Sequence, residues 1–268
     1  MEKLQDPSGG CAPLCYPPAM QAALDLPPLF HPVILTDPSA TLDAAATAAA
    51  DGADPGTLFW APDPSRAIFA VVLGPENEMR VSRGVVHVAA LALGSALGAL
   101  IPPEVAVTYR WPDRIIVNGL PAARLALLGP EAAESAVPDW LVLGVSVAIG
   151  GELPPPDAQG RLRSTTLEAE SCIGLRPDML IASFARYLMS WMRRWEEDGF
   201  EMIATEWLGR ADGRDKAVPI HAGGKTLRGQ VVGLEAPGDL VLRKDGKPVG
   251  LKLRKGLSMQ APRGWPDA

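Results

Sequence analysis

Only three cysteines, Cys11, Cys15 and Cys172, occur in 268 residues. Thiols this few and this scattered cannot build a disulfide framework in a chain of such length, so free thiols are expected. Cys11 and Cys15 have no second Cys or His pair at zinc spacing and His31 stands alone, so no metal site is expected. Lysine is missing from most of the chain, since Lys3 is the only one before Lys216. Basic charge is not in excess either. The formal net charge is −6, which argues against a nucleic-acid partner, because phosphate binding needs Lys and Arg clustered over one face. No apolar run is long enough for a bilayer. The longest, 85–101, is interrupted by His87, Gly94, Ser95 and Gly98 and falls short of the roughly 20 residues a span requires, so a buried helix is expected there and no membrane partner. Glu2 and Lys3 open the chain with no apolar stretch after them, so no secretory signal and a cytoplasmic location are expected.

What is present is apolar content. At 47% hydrophobic, the chain can bury one core of roughly 200 residues with a smaller unit beside it. Residues 1–26 mix Pro, Gly and small side chains without helical or strand period, which predicts a flexible tail. Short apolar runs predict strands at 33–36, 57–61, 67–73, 105–109, 115–117, 125–128 and 140–148. Between them lie an alanine-rich helix at 41–50, with Ser39 or Thr41 as N-cap and Gly52 as stop, and a helix at 81–100 ended by Pro102 and Pro103. A third helix opens at Pro177 and ends at Gly199, with Leu180, Ile181, Phe184, Leu188, Trp191, Met192 and Trp195 on one face. Strands and helices that do not alternate strictly predict an α+β domain over 27–214, a mixed sheet with helices on one side. Beyond it, strands at 229–232, 240–243 and 249–253 are separated by Pro237-Gly238 and Asp245-Gly246 turns, and they predict a small β-barrel-like domain over 215–268.

The most informative stretch is Arg110-Trp111-Pro112-Asp113-Arg114, a strand, Asn118-Gly119 and a further apolar run. This resembles the K-W-P-N-D signature and hairpin of the biotin/lipoate protein ligase family. Gly52-Ala53-Asp54-Pro55-Gly56-Thr57 resembles the turn before that family's second strand, 140–149 its later core strand, and Thr165-Thr166-Leu167 a T-S-L-like segment before its long helix. The resemblance spans about 33–209, and the terminal β unit is similar to the family's SH3-like domain. It implies ATP and biotin or lipoate as ligands, a biotinyl or lipoyl carrier protein or a small carboxylic acid as partner, and a ligand site including Arg110, Trp111, Pro112, Asp113, Arg114, Asn118, Gly119, Thr165 and Thr166.

Two departures from the family bear on chemistry. Forming an acyl-adenylate needs positive charge around the phosphates, which family members supply from a G-R-G-R-x-G-R loop between the second and third strands and from a lysine in the hairpin. Here Pro62-Asp63-Pro64-Ser65-Arg66 leaves only a turn with one arginine, Pro121 falls where the lysine belongs, and Arg124 is the nearest cation. The expectation is a divergent member that binds a small molecule or carrier without adenylating it. An active ligase with a rebuilt site is the alternative. A cysteine-dependent acyltransferase is the second alternative, in which Cys172 would need activation by His87 or an arginine. Local structure competes for the same residues: Arg110, Asp113 and Arg114 can form a surface ion-pair network, Asn118-Gly119 a hairpin turn, and Thr165 and Thr166 a cap.

Overall fold

Seven strands, β1 (His31–Ile34), β2 (Thr57–Ala61), β3 (Arg66–Leu73), β4 (Val107–Arg110), β5 (Arg114–Val117), β6 (Leu120–Leu128) and β7 (Leu141–Ala148), pair in the order β1-β2-β3-β7-β6-β5-β4. β1 and β2 run parallel, and every other neighbouring pair is antiparallel, so the sheet is mixed. The structure is a computed structural model and describes residues 24–257, 259, 260 and 265. Cys11, Cys15 and most of the expected tail lie outside these residues. Leu24 and Phe30 are buried in the core, so chain packing begins inside the stretch read as a loose tail.

The two faces of the sheet follow the two-residue period of the strands. Phe69, Val71, Leu125, Leu127, Leu143, Val145 and Val147 point to one face, where they meet α3 (Val85–Leu100), α4 (Pro177–Asp198) and α5 (Phe200–Gly209). Phe59, Ala70, Val72, Ala126, Leu128 and Val142 point to the other, where Leu42, Ala45 and Ala49 of α1 (Thr41–Ala50) pack on them. Helices therefore lie on both faces, and the one-sided arrangement expected from the sequence is corrected. The reason is α1, whose alanine-rich side is thin enough to lie on a row of small strand residues.

Local chemistry sets the helix ends. Neither Ser39 nor Thr41 caps α1; Asp37 accepts from Ser39 N at 2.9 Å and nucleates a short 3-10 turn that runs into the helix. At the other end Ala53 N donates to Ala48 O and Gly52 N to Ala49 O, the paired closure that a left-handed Gly52 permits. The helix expected at 81–100 breaks at Arg83 and Gly84 into α2 (Met79–Ser82) and α3. A side chain at Gly84 would stand 3.1 Å from both Phe200 and the Pro237 carbonyl. α3 itself is buried along most of its length, and its Gly94 lets Tyr109 of β4 lie against the backbone. On α4, Phe184 meets Phe69 edge to face at 5.0 Å, and Trp191 Nε1 donates to Ser95 Oγ at 3.0 Å.

The terminal unit is a four-stranded antiparallel sheet of β8 (Val218–Ala222), β9 (Lys225–Glu235), β10 (Asp239–Lys244) and β11 (Lys247–Leu251), followed by α6 (Leu253–Gly256). Neither α5 nor β8 was expected from the sequence. The inner residues Val218, Ile220, Val231, Leu234, Leu240, Leu242, Leu253 and Leu257 join the same core cluster as the large sheet, so the two units share apolar packing.

Candidate functional site

Register across the face that carries α1 aligns the polar residues. Arg110 pairs with Arg114, Arg114 with Arg124, Arg124 with Ser146, and Ser146 with Ile68. Residues directly opposite in neighbouring antiparallel strands share a face, so three arginines from β4, β5 and β6 stand side by side. Asp113 lies among them, with its carboxylate 3.7 Å from Arg114 Nε and 3.4 Å from Arg124 Nε. Burial pushes the Asp113 carboxyl above the ordinary value, and the guanidinium groups of Arg114 and Arg124 offset part of that. Arg110 donates to Asp212 Oδ2 at 2.6 Å, and Asp212 N donates to Tyr109 O, which ties this arginine to the chain after α5. The row can receive an anion, but each of its three guanidinium groups already has a carboxylate neighbour.

Asn118 and Thr165 meet elsewhere. Glu170 accepts from Asn118 Nδ2 and from Thr165 Oγ1, each at 2.7 Å. Thr165 N donates to Pro121 O, so the residue at the family's lysine position serves here as a backbone partner. Asn118 and Gly119 form the two-residue turn of the β5–β6 hairpin, both with positive φ, as that turn type requires. The turn lies four residues from Arg114, roughly 13 Å along the strand. Thr166 Oγ1 accepts Ala169 N at 3.2 Å and caps the following turn. Glu170, which joins two of the predicted residues, was not singled out in the sequence, where it is one carboxylate in a short loop.

Trp111 takes a third position. Its indole is buried, donates from Nε1 to Gly238 O at 2.9 Å, and lies against Gly256, where a side chain would overlap the ring. Pro112 is buried beside it. The structure thus brings Arg110, Asp113 and Arg114 together, joins Asn118 to Thr165, and directs Trp111 to the terminal β unit.

The β2–β3 connection is short and closed. Asp63 Oδ1 accepts from Ser65 N and Oγ at 2.8 and 2.7 Å, and Ser65 O accepts from Ile149 N and Gly150 N, both at 2.9 Å. These bonds fix the turn against the end of β7. Cys172 is buried, and burial together with the carboxylates of Glu170 and Glu104 pushes its thiol pKa up, the opposite of what a thiolate nucleophile needs. His87 is held between Phe200, Trp207 and the Gly238 carbonyl, in contact with α5 and the terminal unit. Among the described residues no group of three or more His, Cys, Asp and Glu is placed to hold a metal ion.

The sequence profile of the Biotin/lipoate A/B protein ligase family matches residues 26–209. The biotin--[acetyl-CoA-carboxylase] ligase of Paracoccus denitrificans is 29% identical over 182 residues, covering 65% of this chain and 72% of that protein. A biotin protein ligase-like protein of unknown function from Silicibacter sp. TM1040 superposes with a TM-score of 0.76 at 29% identity, over 87% of this chain and 98% of the other. Biotin protein ligase from Aquifex aeolicus in complex with biotin and ATP gives 0.66 at 15% identity, over 85% and 97%, which supports the fold.

Proposed function

We propose, from the premise that this chain belongs to the biotin/lipoate A/B protein ligase family, that it binds a small carboxylic acid on the arginine-bearing face without converting it to an acyl-adenylate. The observation that carries this reading is the closed β2–β3 turn. Ser65 O is held by two backbone N–H groups of the β7 end, and no residues remain there to fold over a nucleotide. Adenylation requires several cations converging on phosphates as charge develops, whereas Asp113 and Asp212 already face the three arginines of the row. A single bound carboxylate makes a smaller demand and can share Arg114 and Arg124 with Asp113.

The acids proposed are biotin, lipoate and related acyl chains, by extension from the biotin-binding relative of Aquifex aeolicus. The partner proposed is a biotinyl or lipoyl carrier protein, by extension from the Paracoccus denitrificans ligase. A cytoplasmic location belongs to the same proposal. An active ligase is the second reading, favoured by the 29% identity to that enzyme and by the arginine row itself; under it ATP would be a substrate. Pyrophosphate exchange with biotin, lipoate and octanoate separates the two. No exchange is expected with any of them, together with a thermal shift, because an acid at roughly 100 times its dissociation constant adds about 2.7 kcal/mol of stability. Robust exchange with one acid would establish the ligase instead.

A further inference from the structure

One row further along the arginine-bearing face, Ala126, Gly144 and Ala70 lie side by side across β6, β7 and β3. With nothing larger than a methyl group on any of them, they form a flat floor. The indole of Trp265 rests on it: Cζ2 and Cη2 stand 3.3 Å from the point a Cβ on Gly144 would occupy, and Leu42 Cδ1 of α1 stands 2.6 Å from the same point. Trp265 belongs to the apolar cluster that also holds Phe59, Ala70 and Ala126. Its Nε1 is buried and has no hydrogen-bond partner among the described residues, so the ring is held by contact area while a polar group goes unanswered. The indole therefore shares the floor with Leu42 of α1, and with its Nε1 unanswered it is an imperfect occupant.

Ser146 and Arg124, with Arg114 beyond, stand two residues along the strands on the same face, roughly 7 Å from the floor. A ring on Ala70, Gly144 and Ala126, joined by a short chain to a carboxylate, would span that distance. We propose that Trp265 occupies the ring-binding floor of the acid site, so that a ring-bearing carboxylic acid must displace the chain's own indole in order to bind. The inference rests on the acid-binding reading above and adds to it a built-in competitor. An acid without a ring can reach the arginines and leave the indole in place.

The test uses the full chain labelled with 5-fluorotryptophan, with the Trp265 resonance identified by its loss in Trp265→Ala. Lipoate, biotin and indole-3-propionate are the probes. Trp265→Ala is expected to bind them about tenfold more tightly than the parent chain, since apparent affinity falls with the fraction of molecules whose site is open. In the parent chain, indole-3-propionate is expected to move the Trp265 resonance to the position of a solvent-exposed fluoroindole, and octanoate to leave it unmoved. Equal affinities for the two chains, with the Trp265 resonance unchanged on saturation, would overturn the inference and leave the acid-binding reading standing. Absence of binding by either chain would overturn both.

Discussion

The two sheets of this protein treat positive charge in opposite ways. Residues 1–213 carry 14 basic and 26 acidic side chains, whereas residues 214–257 carry ten basic and four acidic ones. In the large domain, arginines are tied to carboxylates: Arg83 to Glu134, Arg110 to Asp212, Arg114 and Arg124 to Asp113, and Arg176 to Asp178. In the terminal unit Lys252 pairs with Asp239, while Lys225, Arg228, Arg243, Lys244, Lys247, Arg254 and Lys255 are exposed and have no ion pair among the described residues. Paired arginines position a site, and unpaired lysines only set a field. The whole-chain charge of −6 averages over this division, so the sequence argument against nucleic acid speaks for the large domain and does not extend to the terminal sheet.

The two units nevertheless share one core, and the seam between them is where the largest effect is expected. Trp111 and His87 both reach the Gly238 carbonyl, and Trp111 lies on Gly256. Trp111→Ala would open a cavity at this seam and is expected to cost about 3–5 kcal/mol, or roughly 2–4 °C of Tm per kcal/mol in a chain of this size. Two separate unfolding transitions in the variant, one for each sheet, would show that the seam alone couples the units. A change under 1 kcal/mol would break the claim that they share a core.

His87 gives the next effect. Burial lowers its pKa from 6.5 to about 4, with the Gly238 carbonyl and Asp239 pulling the other way. The folded chain keeps the imidazole neutral while the unfolded chain takes up a proton below pH 6.5. Stability from this group is therefore full above pH 6.5, falls as the pH drops toward 4, and falls no further below that. The total is about 3 kcal/mol, at 1.36 kcal/mol for each pH unit separating the two values. Urea melts of the parent chain and His87→Gln from pH 7.5 to 4 should diverge by that amount, because glutamine can still donate to Gly238 O and does not titrate. Parallel curves would mean that the seam admits water at His87.

Much of this was legible in the sequence because it is local. The Asn118-Gly119 turn, the stop at Gly52, the Pro177 start and the period of α4 each depend on a few adjacent residues, and the order of the family-like segments fixed the mixed sheet. α5 escaped notice although Phe200, Ile203, Ala204 and Trp207 follow helical spacing, because Gly199 reads as the end of helical chain and α5 begins directly after it. The arginine row escaped because it depends on register: the irregularity between Ile115 and Ile116 decides which residue of β6 faces Arg114. Trp111 carried the strongest family signal and yet packs against Gly238 and Gly256, far away in the chain. No sequence pattern announces such a contact.

The smallest expected effect sharpens the contrast between the sheets. Lys244 and Lys247 face each other across the Asp245-Gly246 turn of the β10–β11 hairpin, and both are exposed. Like charges directly opposite on neighbouring strands repel, and exposure to water holds the repulsion to a few tenths of a kcal/mol. Lys244→Gln should therefore leave the protein as stable as before or slightly more so, by at most about 0.5 kcal/mol, with the gain vanishing at high salt as screening removes what the substitution relieved. Thermal melts at low and high ionic strength check this. A loss above 1 kcal/mol would mean that Lys244 has a partner in the folded chain, and that the terminal sheet uses its cations as the large domain does.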